Sequence, residues 1–161
     1  MGAVFIGYNI FITPVAGFNY GAQDHTELKS LLRKSLVIVF ALGTVMTLFS
    51  ELTADWAASV FVGYDRELTE LTAHAFRLYM LSFLIYGFNQ FVSAWFTALG
   101  NGVISAICSF THTLVFEILC IFTFPLFLGL DGIWLAVDFA DVLTLAVTIT
   151  FLLRYRRRYG Y

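Results

Sequence analysis

The sequence predicts an all-α fold, a polytopic bundle of about five transmembrane helices. Hydrophobic residues make up 60% of the 161 residues and charged residues only 12%, whereas about 25% of residues are charged in average domains. The stretch 78–116 contains no Asp, Glu, Lys or Arg, and only the turn 100–102, Gly-Asn-Gly, interrupts it. Since a soluble helix keeps a polar face for water, two such apolar helices indicate a membrane hairpin.

About 20 apolar residues cross a bilayer core of about 30 Å, and this length sets the expected elements. The first predicted segment carries Pro14, which frees a backbone carbonyl and is expected to bend its helix. Asp65 precedes the third predicted segment and is either a helix N-cap or part of a plain turn. The five predicted segments are 2–18, 31–52, 73–99, 103–128 and 132–154.

Charged residues alternate in sign between successive loops. The loop 23–34 and the tail 154–158 are basic, the stretch 51–70 is mainly acidic, and the turn at Gly100 is neutral. Basic loops favour the cytoplasmic side. We therefore expect a multi-pass cell-membrane protein whose loop 23–34, Gly100 turn and C-terminus are cytoplasmic. Because five segments are odd in number, the N-terminus of this chain is expected outside.

Two carboxylates are predicted inside the last segment. Asp138 and Asp141 are three residues apart and share a helix face, which Thr144 and Thr148 extend. Neighbouring, desolvated carboxylates hold protons or cations, so both are candidates for ion coupling. Asp138 follows Asp131 by only seven residues, and the alternative is that it is simply hydrated near the outer surface.

The fourth segment carries two further ionisable candidates, Glu117 and His112. A charge in the hydrocarbon layer costs about 2.5–3.5 kcal/mol, so Glu117 is expected to be protonated, paired or exposed to water. His112 is five residues away, on a different face of an α-helix, and pairing across helices is open. A lone His is either a hydrogen-bonded packing group or a proton relay.

The third segment presents polar side chains at helical spacing. Gln90, Ser93 and Thr97, with Asn89 beside them, either line a path for a drug or ion or form hydrogen bonds between helices.

Other function classes find little support in the sequence. Motifs of metalloproteases, serine hydrolases and P-loop enzymes are absent, so we expect no enzyme. Cys108 and Cys120 are predicted to be small buried residues, with neither a disulfide nor a metal site. The arginines of the tail are explained by membrane orientation and anionic lipid rather than by nucleic acid.

Five short runs, in register along the whole chain, resemble one family. Residues 13–22 read Thr-Pro-Val-Ala-Gly-Phe-Asn-Tyr-Gly-Ala, similar to a signature that closes the eighth of twelve helices in multidrug and toxin extrusion (MATE) transporters. Runs at 75–82, 96–100, 113–117 and 129–134 resemble the tenth to twelfth helices of that family. The chain therefore resembles most of one MATE lobe, the last five helices.

The resemblance implies a secondary antiporter that exports organic, often cationic, drugs or toxins in exchange for H⁺ or Na⁺. It implies no cofactor beyond the coupling ion, and the lipid bilayer and the missing N-terminal lobe as partners. Asp141 matches a polar, often acidic position, whereas His112 stands where many members have Arg. No carboxylate occurs between Leu78 and Leu99, so the sodium site of some members is not carried over.

By the same resemblance, the candidates for lining a substrate cavity are Asn89, Gln90, Ser93, Pro14 and Asn19. An alternative to the antiporter is a truncated fragment, or one subunit of a split transporter, without transport activity alone.

Overall fold

The computed structural model describes residues 2–161 as a helical bundle. Four helical paths are long and apolar enough to cross a membrane by length and composition: Gly2–Gly21, His25–Val62, Gly102–Leu128 and Leu130–Tyr159. Many large apolar side chains face outwards, including Phe40 at 67% and Phe127 at 85% exposure. This arrangement suits lipid rather than water and confirms the predicted helical transmembrane bundle.

The helices follow the chain in simple order. They are α1 (Gly2–Gly21), α2 (His25–Val62), α3 (Arg66–Met80), α4 (Phe83–Ala98), α5 (Gly102–Phe110), α6 (Ile118–Thr123), α7 (Pro125–Leu128) and α8 (Leu130–Tyr159), with a π-helical segment, Thr111–Glu117, between α5 and α6. The π-helical segment and α5 to α7 together form the third of these four paths, Gly102–Leu128. The turn at Gly100 joins α4 to α5, as the sequence predicts.

The single helix predicted over 73–99 is instead divided into α3 and α4. At the division, the N–H of Leu81 donates to the carbonyl of Leu78, and the N–H of Leu84 donates to the carbonyl of Leu81. These hydrogen bonds therefore span three residues instead of the four of an α-helix. The Ser82 hydroxyl donates to the Tyr79 carbonyl at 2.9 Å, a local bond that competes with the helical pattern. The chain stays helical but tightens at this point.

Helix α2 is much longer than the predicted segment 31–52. Its 38 residues span about 57 Å at 1.5 Å per residue, nearly twice the bilayer core. The Asp24 side chain caps its first turn by accepting from the Glu27 N–H at 3.0 Å. Beyond Ser50 it carries Glu51 and Asp55, which pair with Arg77 of α3 at 3.9 and 2.6 Å. The acidic residues therefore continue the helix rather than end it.

Helix α4 lies at the centre and packs against α1, α2, α5 and α8. Its Gly87 is essential to this packing, because an added Cβ would lie 2.2 Å from the ring of Phe5 on α1. Small residues permit such close approach of membrane helices. Phe91, Trp95 and Phe96 on α4 are completely buried, so the core lies around this helix.

The two ends of the bundle differ in charge. At the basic end, where α2 begins and α8 ends, His25 Nδ1 lies 3.2 Å from the Tyr159 carbonyl, and Asn101 Nδ2 donates to the Tyr159 hydroxyl at 2.8 Å. The loop before α2, the Gly100 turn and the tail therefore lie together, as predicted. At the acidic end, Arg77 meets its carboxylates, and His74 lies 3.2 Å from Asp131.

Asp65 caps α3, which confirms one of its two sequence interpretations. Its side chain accepts from the backbone N–H groups of Glu67 and Leu68. A capping carboxylate at this position satisfies donors that the first turn of a helix otherwise leaves unpaired.

Candidate functional site

A cluster of buried polar side chains joins α4, the π-helical segment and α8 near the middle of the bundle. We call it the polar cluster, and its members are Asn89, His112, Asp141, Thr144 and Thr148. Asp141 lies about 16 Å along α8 from Leu130 at 1.5 Å per residue. The polar face predicted for the last segment consisted of Asp138, Asp141, Thr144 and Thr148, and the last three of these are buried on α8.

Asn89 holds α4 to α8. Its Nδ2 donates to the backbone carbonyl of Asp141 and to Asp141 Oδ1, both at 3.0 Å. Its Oδ1 accepts from the Thr148 hydroxyl at 3.0 Å. Because a backbone carbonyl can only accept, these partners also fix the orientation of the amide. For Asn89, then, the structure gives hydrogen bonding between helices.

Asp141 and His112 form a buried pair across two helices. Asp141 is 0% exposed, and its Oδ1 lies 3.0 Å from His112 Nε2. The contact is within ion-pair distance but falls short of hydrogen-bond geometry, and Asp141 Oδ2 makes no hydrogen bond within residues 2–161. The sequence left two possible partners for His112, Glu117 on its own helix or a group on another helix. In the structure His112 contacts a group on another helix, Asp141 of α8.

The π-helical segment corrects the expected relation between His112 and Glu117. In an α-helix, residues five apart face different ways, but the wider i→i+5 turn of a π-helix aligns them. Both side chains therefore line one cavity of about 340 Å³, with Thr113 between them. π-Helical turns inside α-helices are frequent at functional sites, and nothing in the apolar pattern of the chain indicates one.

The same cavity reaches α3, α4 and α8. Its wall includes Tyr79, Ser82, Tyr86, Gln90 and Val137. Gln90 Nε2 donates to the Tyr86 hydroxyl at 3.2 Å. The side-chain carboxylate of Glu117 has no hydrogen-bond or ion-pair partner in the part of the chain that the structure describes. The cavity is thus a polar space that brings an unpaired carboxylate close to the His112–Asp141 pair.

Asp138 lies on the same helix but outside the polar cluster. It is half-buried, and both of its carboxylate oxygens are shielded from solvent without a hydrogen bond among the described residues, beside the backbone of Ser82. The alternative of a simply hydrated carboxylate is therefore not what the structure has.

Ser93 lies at the start of a chain of hydroxyl groups. Its Oγ lies 2.9 Å from the Oγ atoms of both Ser105 and Ser109, and the Thr97 hydroxyl donates to Ser105 Oγ at 2.8 Å. A void of about 30 Å³ separates Ser109 from His112, roughly the volume of one water molecule. Of the two predicted roles, the hydroxyl contacts of Ser93 and Thr97 give hydrogen bonding between α4 and α5, and a role in lining a path stays a prediction.

Pro14 lies in a groove of about 420 Å³ between α1 and α4, together with Asn9, Gln90 and Ser93. Helix α1 continues through the proline. Asn9 was not predicted from the sequence, although its Oδ1 is buried and has no hydrogen-bond partner in residues 2–161. A lone polar residue five positions before a membrane proline is the signal that could have identified it.

Asn19 lies away from these spaces, near the end of α1. Its Nδ2 donates to the Val15 carbonyl at 2.9 Å, and its own carbonyl accepts from the Asp24 N–H. It therefore shapes the exit from α1 and is not among the residues that line the groove at Pro14.

Long apolar helices around a buried polar cluster define a polytopic helical membrane protein. The sequence identifies the family within this class of membrane proteins, because the MatE family model matches residues 1–123. The chain belongs to the MatE family, which confirms the resemblance seen in its motifs. No curated protein sequence is significantly similar to it.

Solved transporter structures share the fold. An inward-facing multidrug resistance MATE family transporter of the MOP superfamily superposes with a TM-score of 0.88 at 23% identity, covering 99% of this chain and 36% of that one. A MOP superfamily transporter from Pyrococcus furiosus gives 0.87 at 22% identity, with 98% and 36% covered. The bent form of VcmN from Vibrio cholerae gives 0.83 at 15% identity, with 98% and 38% covered. This chain spans little more than a third of those chains.

Proposed function

We propose that this chain supplies helices to a secondary antiporter that exports organic, often cationic, compounds in exchange for protons, with Asp141 as the proton-binding group. The observation that carries the proposal is the completely buried Asp141 carboxylate between Asn89 and His112. A carboxylate inside the membrane is energetically costly, so one that is present there is a functional candidate by default. The family, and the solved relative described as a multidrug resistance transporter, support the export of organic compounds.

The surroundings of Asp141 favour H⁺ over Na⁺. Sodium requires several oxygen ligands, whereas the near partners of Asp141 Oδ1 are the nitrogens of Asn89 and His112. Asn89 Oδ1, the amide oxygen closest to the pair, already accepts from Thr148. A carboxylate that faces nitrogen donors and a titratable imidazole can exchange a proton without new ligands.

Two polar spaces give the proton a route to and from the pair. The cavity that contains Glu117 adjoins His112 on one side. On the other side, Ser109, Ser93 and Ser105 lead through Thr97 towards the Gly100 turn. We infer that the basic end lies in the cytoplasm, because basic segments favour that side. The hydroxyl chain then approaches the cytoplasm and the Glu117 cavity the outer half.

The second candidate is a chain that transports nothing alone. It covers 36% of the multidrug resistance relative, and transporter sites form between two repeats or bundles that rock against each other. The remaining helices, in the same or a partner polypeptide, would then complete the substrate cavity in which the groove at Pro14, Gln90 and Ser93 forms one wall.

The test measures proton release from everted membrane vesicles when a permanently cationic dye is added. Vesicles contain the chain alone or together with the helices of the other lobe. We expect release only from the complete assembly, and its loss in Asp141→Asn. Asp131→Asn is the matched control, because Asp131 lies on the same helix but is half exposed beside His74.

Three outcomes would contradict parts of this proposal. Unchanged release in Asp141→Asn removes Asp141 from coupling. Dye movement driven by a Na⁺ gradient instead of a proton gradient rejects H⁺ as the ion, and release by the chain alone rejects the second candidate. His112→Arg places a permanent cation beside Asp141 that cannot titrate, so we expect a flatter dependence of proton release on pH between about 5 and 8.

A further inference from the structure

A groove at the basic end combines positive charge with an apolar floor. It lies between α2 and α8, encloses about 240 Å³, and carries Lys29, Arg33 and Arg156. Its apolar residues are Leu32, Leu36, Leu152 and Leu153. A wider groove of about 750 Å³ lies along the same two α2 cations, with Val37 and Ile38 on its floor. Lys29 and Arg33 therefore form a ridge between two apolar surfaces.

The basic end carries seven cations. Residues 2–161 contain no Asp or Glu side chain within ion-pair distance of any of them, whereas at the acidic end Arg77 contacts two carboxylates. The seven cations are Lys29, Arg33, Lys34, Arg154, Arg156, Arg157 and Arg158. The nearby acid Asp24 is occupied in capping α2. An anion from outside the chain is therefore the natural partner of this surface.

The order of charge and apolar groups along both helices matches that of a lipid molecule. Helix α2 runs inwards from the basic end, so Leu36 lies about 10 Å deeper than Lys29. Helix α8 runs outwards, so Leu152 again lies deeper than Arg156. Arg156 Nε donates to the backbone oxygen of Tyr161 at 3.3 Å, which holds the guanidinium at the rim. Its terminal nitrogens make no hydrogen bond or ion pair within residues 2–161.

We propose that this groove binds an anionic phospholipid of the surrounding leaflet. Its phosphate lies against Lys29, Arg33 and Arg156, and its acyl chains follow the apolar floors on either side of the ridge. Basic pockets between membrane helices recognise anionic head groups in this way. A free phosphate would leave the leucines unused, and a zwitterionic lipid would leave the net positive charge uncompensated.

Native mass spectrometry of the full 161-residue chain tests the assignment. The protein is reconstituted in phosphatidylcholine vesicles with a graded fraction of phosphatidylglycerol, extracted in mild detergent, and examined for retained lipid. The groove variant combines Lys29→Gln, Arg33→Gln and Arg156→Gln. We expect its preference for phosphatidylglycerol over phosphatidylcholine to fall about tenfold or more, because each surface cation contributes to anionic-lipid binding.

The control variant combines Arg154→Gln, Arg157→Gln and Arg158→Gln, which removes the same charge from exposed positions of α8 outside the groove. We expect it to keep the preference within about twofold. Monodisperse elution shows that each variant is folded.

If both variants lose the preference for phosphatidylglycerol equally, the lipid is attracted by the charge of the whole basic end, and the proposed binding site is wrong. Equal retention of the two lipids by the unaltered chain would also contradict the site. Displacement by inorganic phosphate alone would assign the groove to a free anion. A second copy of the chain, held in place of lipid and lost in the groove variant, would assign it to a protein interface.

Discussion

Helices α4 and α8 are joined at two places by different chemistry. In the polar cluster, Asn89 connects Asp141 to Thr148 through hydrogen bonds and contacts of about 3 Å. At the basic end, the ring of Phe96 lies edge-on to those of Tyr155 and Tyr159, with centroids 6.1 and 6.4 Å apart. The first junction depends on the charge of one carboxylate, whereas the second depends on shape alone.

The two junctions differ in whether a change of protonation can weaken them. Hydrogen bonds to a charged partner are roughly twice as strong as neutral ones, so protonation of Asp141 weakens the central junction. Ring packing does not respond to protons. We infer that the basic end holds α4 and α8 together while the central junction rearranges, which is consistent with motion of helices around a fixed end.

The largest effect is expected from Phe96→Ala at the basic end. Phe96 is 0% exposed, and its removal leaves a cavity. We expect a loss of about 3 kcal/mol in the free energy of unfolding, the lower end of the usual range of about 3–5 kcal/mol, because lipid gives little hydrophobic driving force between helices. Unfolding in detergent, followed by circular dichroism, measures it.

Phe110→Ala is the control for this prediction. Phe110 lies on α5 and is 61% exposed, so the same substitution removes only a lipid-facing ring. If both variants lose the same stability, the rings at the basic end are not a special junction, and the comparison with the polar cluster fails.

A smaller loss is expected from Asn89→Ala in the polar cluster. The substitution removes the amide that bonds the buried Asp141 carboxylate, and a buried polar group that loses its partner costs about 1–3 kcal/mol in soluble proteins. The Thr148 hydroxyl keeps the Thr144 carbonyl as an acceptor at 3.1 Å. Hydrogen bonds between membrane helices contribute less, with a maximum of about 1.7 kcal/mol, so we expect a loss of about 1–2 kcal/mol. The loss should shrink in the double variant with Asp141→Asn, because the charged partner is then gone. A fully additive double variant would mean that the two residues are not coupled.

The third prediction concerns Tyr161, which folds back beside Trp95 with ring centroids 5.9 Å apart. Its hydroxyl donates to the Leu152 carbonyl at 3.1 Å, so Tyr161→Phe should cost about 0.5–1.5 kcal/mol at neutral pH.

The cost of Tyr161→Phe should change with pH. Burial raises the pKa of Tyr161 above its ordinary value, so the folded chain retains the phenolic proton that the unfolded chain loses above about pH 10. The stability that Tyr161 contributes is therefore complete below that pH and is lost above it. The unfolding midpoints of the two proteins should converge or cross when pH is raised from about 8 to about 11. A constant difference would show that Tyr161 is not buried in the folded chain.

The sequence indicated the central junction better than the one at the basic end. Polar residues are rare in apolar segments, so the inward face of Asp141, Thr144 and Thr148 could be read from spacing alone. Aromatic residues are common throughout the chain, and nothing in their spacing distinguishes Phe96 from the exposed Phe110.

Two features of the backbone were also beyond the sequence. The π-helical segment differs from an α-helix only in its hydrogen-bond register, which apolar periodicity does not encode. The division at Ser82 depends on tertiary contacts: the Thr47 hydroxyl of α2 donates to the Met80 carbonyl at 3.4 Å, and Gly43 allows α2 close to the backbone of Phe83. In contrast, the Gly100 turn is local and was predicted, and the Asp65 cap, also local, was one of the two interpretations of that residue.

The smallest effect is expected at the acidic end, which offers a third kind of junction. Arg77 Nη2 donates to Asp55 Oδ2 at 2.6 Å, but the Asp55 side chain is 75% exposed. An exposed ion pair contributes only about 0–1 kcal/mol because water screens it, so Asp55→Asn should leave the unfolding midpoint almost unchanged, and added salt should remove the remaining difference. Asp131→Asn at the neighbouring pair with His74 should behave alike. A loss as large as that of Asn89→Ala would show that the acidic end, too, holds the helices together, and the division into one switchable and one permanent junction would no longer describe the bundle.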